Sequence, residues 1–255
     1  MIYEKARYLP CGDRYLLVEL GDEVNIFLNL KTIAFDEEIK KSIIPGLIET
    51  APCFRSTLIH YDNLMTSTEE LVAKMREVEE RVPSTEEIEL TSRLIEIPVW
   101  YNDKWSEECT EYYRRTIKPV EPNCETVIRF NNLKDLDELV ETHTTPQHWA
   151  AMIGFIPGET CVICLDPRYE IRAPKYNPPR TWTYEGTIGL GSADTCIYSI
   201  RSVGGYQMIG RTPVKIYDPT RSHPAFKESP ALLRVGDRLK FVPIDEEEFL
   251  RIQKQ

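Results

Sequence analysis

The side chains best able to do chemistry in this sequence are few and widely spaced. His143 follows a predicted helix, where an imidazole can pass protons near neutral pH. The same position also suits a histidine that only satisfies helix-terminal carbonyls. Arg180 and Arg211 sit in the short elements Pro179-Arg180-Thr181 and Gly210-Arg211-Thr212-Pro213. A guanidinium fork fits a carboxylate, a phosphate or a carboxy intermediate through paired hydrogen bonds. A buried pair with Asp166 or Asp194 would make either arginine structural instead. Gln207 lies between Tyr206 and Met208 on a predicted strand. Its amide can read a lactam or urea with donor and acceptor together, or simply face outward from the strand.

Seven cysteines are spaced irregularly, and Cys161 and Cys164 form the one C-x-x-C pair. A zinc site normally needs a second ligand pair, and a redox pair normally sits at a strand-to-helix junction. The flanking Glu159 to Leu165 reads as strand, so the cysteines are expected to be free thiols, several of them buried. His60, His148 and His223 have no metal-like spacing, and no metal is expected in this chain. Trp100, Tyr101 and Trp105 are expected to pack a core, and Asp245 to cap a terminal helix.

Elements that could position these groups follow from the pattern. Arg14 to Leu20 reads as a strand and Asn25 to Ser42 as an amphipathic helix stopped by Pro45-Gly46. Leu47 to Cys53 and Ser56 to Tyr61 read as strands. Thr66-Ser67-Thr68 before Glu69-Glu70 marks the start of a helix reaching about Arg81. The order predicts a small α/β domain over residues 1–83, with the polar stretch from Pro83 to Glu87 as linker. Leu94 to Tyr101 is a strand, Ser106 to Thr116 and Lys134 to His143 are helices, and the segment between those helices reads as irregular. From Trp149 to Ile244, glycines and prolines punctuate short β-type runs, which predicts a closed or nearly closed β structure. The domain boundaries expected are 1–83, 93–246 and a helical tail over 247–255.

Composition narrows the partners. The 255 residues are 42% hydrophobic and 28% charged, with 31 basic against 41 acidic side chains and a formal net charge of -10. That balance argues against a nucleic-acid binder working through phosphate neutralisation. No apolar run approaches the roughly 20 residues a membrane span needs. The N-terminus lacks a signal-peptide pattern, so a cytoplasmic location is expected.

Several segments, taken in order, resemble one family. They are Pro10-Cys11-Gly12-Asp13 through Gly21, Phe54-Arg55-Ser56-Thr57 through Asp62, and Ile95-Glu96-Ile97-Pro98-Val99. His143, Met152-Ile153-Gly154-Phe155-Ile156-Pro157-Gly158 and the glycine-rich runs 186–191 and 204–213 continue it. Val235-Gly236-Asp237-Arg238 through Ile244 closes it. Together they resemble the allophanate hydrolase subunit 1 family, also called the carboxyltransferase C/D subdomain family, which includes the B component of 5-oxoprolinase.

The resemblance implies an α+β chain: a small N-terminal α/β domain followed by a cyclophilin-like β-barrel. It implies a homologous cyclophilin-like second subunit, a small amide, lactam or ureido substrate, and ATP used by the whole complex. Reaction would be hydrolysis or biotin-linked carboxyl transfer, with any carboxybiotin carried on another subunit. Neither a Walker-type phosphate loop nor a Met-Lys-Met biotin sequence occurs in the chain. The candidate catalytic residues are His143, at the position of the family's motif histidine, with Arg180 and Arg211. The implied substrate-binding residues are Gly154, Phe155, Pro157, Gly158, Gln207 and Tyr198.

The chain departs from the family pattern at four places, among them Ser202-Val203-Gly204-Gly205-Tyr206 for Ser-Pro-Gly-Gly-Trp and Ala173-Pro174-Lys175 for Pro-Arg-Arg. Where relatives carry an aromatic Gly-Phe-Pro-Tyr-Leu stretch, it has Glu159-Thr160-Cys161-Val162-Ile163-Cys164. Where they carry Gly-Gly-Gln-Thr-Gly-Ile-Tyr-Pro, it has Gly191-Ser192-Ala193-Asp194-Thr195-Cys196-Ile197-Tyr198-Ser199. A changed substrate is one reading, and a non-catalytic binding protein resembling the histidine-kinase-inhibitor branch is the other. The glycine corners are expected to leave a half-formed cleft that a second polypeptide completes.

Overall fold

A computed structural model describes residues 1–254, which divide into two units, Met1–Thr91 and the chain from Ser92 onward. Among the described residues no helix is long and apolar enough to cross a membrane.

The first unit is a four-stranded antiparallel sheet with two helices. Its strands are β1 (Ile2–Pro10), β2 (Tyr15–Gly21), β3 (Leu47–Pro52) and β4 (Ser56–Tyr61), in the order β1-β2-β4-β3. The helices are α1 (Ile26–Lys41) and α2 (Thr68–Glu79). Alternation along β2 and β4 buries Leu16, Val18, Leu20, Ile59 and Tyr61 on one face, against Leu28, Phe35 and Ile39 of α1. Asn25 caps α1, its side chain accepting from Leu28 N at 2.8 Å. Ser67 opens α2 with a full capping box, Ser67 and Glu70 each accepting from the other's backbone N–H. Ser67→Ala is expected to destabilise this unit by about 1 kcal/mol, read as a lower denaturation midpoint with an unchanged slope.

The second unit is a closed barrel. Its strands are β5 (Leu94–Tyr101), β6 (His148–Ile153), β7 (Thr160–Cys164), β9 (Thr187–Gly191), β10 (Asp194–Ile197), β12 (Gln207–Arg211) and β13 (Arg238–Pro243). They run β10-β7-β6-β13-β5-β12-β9 around the closure. A separate ribbon pairs β8 (Arg180–Thr183) with β11 (Ser202–Gly204). The β5–β13 pair is parallel, and the other barrel pairs are antiparallel. Ile97, Val99, Val162, Ile188, Leu190, Ile197, Ile209, Leu239 and Phe241 fill the barrel core.

Helices α3 (Lys104–Thr116), α4 (Asn123–Phe130) and α5 (Leu136–Thr144) lie between β5 and β6 in sequence, and α6 (Glu246–Gln253) ends the chain. Asp245 caps α6 as expected, accepting from Glu248 N. That helix packs as part of this unit: fully buried Phe249 lies 5.0 Å from the Trp105 ring and 5.9 Å from that of Trp100. The segment expected to be irregular contains α4. Its first residue, Asn123, donates to Thr110 Oγ1 and accepts from Tyr176 Oη and Met208 N. Tertiary bonds therefore anchor a helix that begins without a side-chain cap.

Candidate functional site

Alternation along β7 and β10 separates two faces. Val162 and Ile197 point into the core, so Cys161, Asp194 and Cys196 point outward, and Glu159 and Tyr198 continue that outer row. Gly189 and Gly191 lie on the same face of β9, because Ile188 and Leu190 point inward. The polar groups are mostly enclosed: Arg180 and Tyr198 are each 2% exposed and Glu159 4%. Arg180 Nη1 donates to Tyr206 O at 2.7 Å, Nε and Nη2 donate to Thr183 Oγ1, and the guanidinium lies 4.6 Å from the Tyr176 ring centroid. Tyr206 Oη donates to Asp194 Oδ2 at 2.7 Å, and Lys175 Nζ donates to Tyr206 Oη at 3.3 Å.

Burial governs the protonation of this face. It pushes the Glu159 carboxyl up to about 7, helped by the nearby Asp194 charge and opposed by a backbone hydrogen bond. Glu159 Oε2 is buried with no hydrogen-bond partner. Burial also lifts the Tyr198 phenol to about 12, with the Arg180 charge opposing and the Glu159 charge reinforcing. Asp194 is raised by burial, against its bond from Tyr206.

The glycine corners do not leave an open gap. A Cβ at Gly191 would fall 2.7 Å from the Tyr206 ring, and one at Gly204 would meet Tyr198. The close approach that these glycines permit is made by the chain's own tyrosines. A cleft of about 250 Å³ nearby is lined by Lys118, Lys175, Tyr176, Asn177 and Gln207. Gln207 Nε2 donates to Pro174 O at 2.8 Å, so its side-chain carbonyl is the group it can offer to a ligand.

The other predicted residues are dispersed. His143 is 1% exposed inside the barrel. Its Nδ1 shares a 2.7 Å hydrogen bond with Tyr101 Oη, its Nε2 a 3.1 Å bond with Thr195 Oγ1, and its ring stacks on Phe241. Burial holds it well below the usual histidine range, so the imidazole is neutral.

Arg211 donates from Nε to Glu185 O and lies 4.6 Å from the Trp105 ring centroid. It lines a second cleft of about 260 Å³ with Ser199, Thr212 and Lys215. Neither arginine forms an ion pair with Asp166, which pairs with Arg168 instead. Gly154, Phe155, Pro157 and Gly158 form the β6–β7 loop. Phe155 is 74% exposed with φ 71°, and Pro157 O accepts from Ser199 Oγ at 2.6 Å. The structure thus brings Arg180 and Tyr198 together, with Gln207 on the adjoining cleft, and sets His143 and Arg211 apart.

Glu159, Tyr206 and Lys175 belong to the same constellation, although residue type alone does not single them out. The one signal for Glu159 is that it opens the stretch 159–164 in which the chain departs from the aromatic-rich family pattern. The expectation of free thiols is also corrected: Cys161 and Cys196, 35 residues apart, form a disulfide. They are direct partners in the β7–β10 register, a relation that neither sequence spacing nor the C-x-x-C pair reveals. Cys11, Cys109, Cys124 and Cys164 are free thiols.

Comparison with known proteins gives the arrangement its context. Residues 6–227 match the family described as carboxyltransferase domain, subdomain C and D. The chain is 31% identical to Saccharomyces cerevisiae urea amidolyase over 96% of its own length but only 14% of that protein. It is 31% identical to the B component of Bacillus subtilis 5-oxoprolinase over 93% of its own length and 92% of that component. The crystal structure of K. lactis urea amidolyase superposes with a TM-score of 0.85 and 27% identity, covering the whole of this chain and 16% of that one. With its N-terminal α/β unit and closed barrel, the chain belongs to the carboxyltransferase family of subdomains C and D.

Proposed function

We propose that this chain is one subunit of a heteromeric, ATP-dependent enzyme acting on a small amide, lactam or ureido compound. A homologous cyclophilin-like subunit completes the assembly. The reaction is hydrolytic opening of a 5-oxoproline-like ring or transfer of a carboxyl group from a biotin carrier on another subunit. The observation that carries the reading is the near end-to-end match to the B component of 5-oxoprolinase, a protein whose name makes it one of several subunits.

Within this chain, the cleft beside Gln207 supplies the Lys175 ammonium as a donor and the Gln207 side-chain carbonyl as an acceptor toward a polar substrate. The ammonium stabilises negative charge developing on an acyl oxygen, and the carbonyl takes a substrate N–H. Arg180 acts through others: it holds the Tyr206 carbonyl and Tyr176, both neighbours of the cleft. ATP and any carboxybiotin act at the level of the assembled complex.

Co-expression with a homologous partner subunit tests the reading. The purified chain alone is expected to be folded with little turnover of 5-oxoproline or urea. The reconstituted pair, given ATP and the carrier component where one is required, is expected to turn over one of them. A partner that fails to co-purify, with no ATP-dependent turnover, contradicts the proposal. Closure of the glycine corners by Tyr198 and Tyr206 favours a second reading, a non-catalytic binding protein. Capture of a histidine kinase by the isolated chain would support that reading.

A further inference from the structure

The outer face of β7 and β10 holds a donor set that spacing in the sequence does not disclose. Cys161 and Cys196 face one another across the strand pair. Their sulfurs and an oxygen of the Asp194 carboxylate all lie within 4.8 Å of one another. Cys196 Sγ is 3.6 Å from Asp194 Oδ2. Two thiolates and one carboxylate suit a borderline divalent cation such as zinc, with Zn–S about 2.3 Å and Zn–O about 2.0–2.2 Å. Tetrahedral geometry with those bonds separates the donors by roughly 3.5–3.8 Å, so the two sulfurs, bonded to each other in the disulfide, part by side-chain rotation on the paired strands before they ligate an ion.

The geometry points to a redox-gated cation site. With the Cys161–Cys196 disulfide reduced, the two thiolates and Asp194 hold one zinc-like divalent ion, and its fourth position is open to water or a small ligand. In the disulfide form the sulfurs bind each other and the site does not exist. A low-molecular-weight thiol supplies the switch: two of its molecules give up two electrons and two protons and leave joined as their own disulfide. Cation binding then forms two metal–sulfur bonds and releases the two thiol protons.

Surrounding groups fit a metal site. Tyr206 Oη fixes the Asp194 carboxylate at 2.7 Å, and Lys175 in turn holds Tyr206, the kind of outer shell that orients a ligand. Cys161 and Cys196 are 3% and 2% exposed, while Asp194 and Tyr206 are half-buried and Lys175 is exposed. That gradient gives a cation a way in from the Asp194 side. Cys164 takes no part: it falls on the opposite face of β7, and its sulfur donates to Asp166 O. The C-x-x-C spacing, on which a metal looked unsupported, picks out the wrong pair.

The test uses the full chain, reduced without air and titrated with Co²⁺ alone. The reduced protein is expected to take up one equivalent and show thiolate-to-cobalt charge-transfer absorption. Protein oxidised by glutathione disulfide is expected to bind none at the same concentrations. Cys196→Ser should abolish the absorption, Asp194→Asn should weaken binding at least tenfold, and Cys164→Ser should leave both unchanged. Equal absorption in Cys196→Ser, unaltered affinity in Asp194→Asn, or no uptake by the reduced wild-type chain overturns the site. Loss of native circular dichroism on reduction also overturns it, because the donors need the paired strands.

Discussion

Arg180→Met is expected to lower the stability of the barrel unit by about 3 kcal/mol. Methionine fills much of the same volume, so the effect isolates the guanidinium. One buried acceptor, Thr183 Oγ1, and one part-buried acceptor, Tyr206 O, lose their donors. An acceptor left unsatisfied costs about 1–3 kcal/mol, and the contact with the Tyr176 ring adds roughly 1 kcal/mol more. Relief from desolvating a guanidinium works in the opposite direction. The loss wins because Thr183 Oγ1 stays fully buried. For a unit of this size that loss corresponds to a Tm lower by roughly 6–12 °C.

In the assembled enzyme, the same change should cut kcat by about 10²-fold, since the Tyr206 backbone and Tyr176 are no longer held. Arg180→Lys keeps the charge but not the fork, so it should recover part of the stability and little of kcat. A Tm unchanged in Arg180→Met would show that these bonds contribute nothing to the fold. A kcat unchanged in a destabilised Arg180→Met would remove Arg180 from the site while leaving its structural role.

Legibility in the sequence followed how local each signal was. The start of α2 was readable because Ser67 and Glu70 complete their capping box within four residues. Strands β4 and β5 were readable because their β-branched and aromatic runs end at clear turn or loop residues. Strand β1 escaped because its charged and apolar residues do not alternate cleanly, with Glu4 and Lys5 adjacent, and none of them is fully buried along this edge. Helix α4 escaped because its first turn depends on Thr110, Tyr176 and Met208 rather than on its own neighbours.

The site was less legible for the same reason. Arg180 and Gln207 could be picked out by residue type, but residue type does not say what covers a side chain. His143 looked like a proton carrier and is a core residue, because α5 ends against the barrel interior, where Tyr101, Thr195 and Phe241 take its ring. Glu159, Asp194, Cys161 and Cys196 share a face through the β7–β10 register. That register closes a gap of 35 residues between the two cysteines and leaves no periodic trace in the sequence.

Glu159→Gln is expected to stabilise the disulfide-bonded protein at pH 8 by up to about 3 kcal/mol and to be neutral near pH 4. The carboxyl rises from an ordinary value of 4.5 to about 7 in the folded chain. A raised acid means that the native state binds the proton more tightly than the unfolded state does. The stability contributed by the protonated form is therefore complete below about pH 4.5. It falls as pH rises from there to about 7, and is gone above. A shift of this size corresponds to roughly 3 kcal/mol at 1.36 kcal/mol per pH unit. Glutamine has no proton to lose, so the variant should not share this decline.

Burial raises the Asp194 carboxyl as well, so the measured quantity is the difference between variant and wild type from thermal unfolding at each pH. Removing the Glu159 charge also relieves Asp194, because the two carboxylates raise one another's cost of ionisation. The difference should grow between pH 4.5 and 7 and then level off. A difference that stays flat across this window would show that the orphaned Glu159 oxygen is reached by water and that the outer face is wetter than its burial implies.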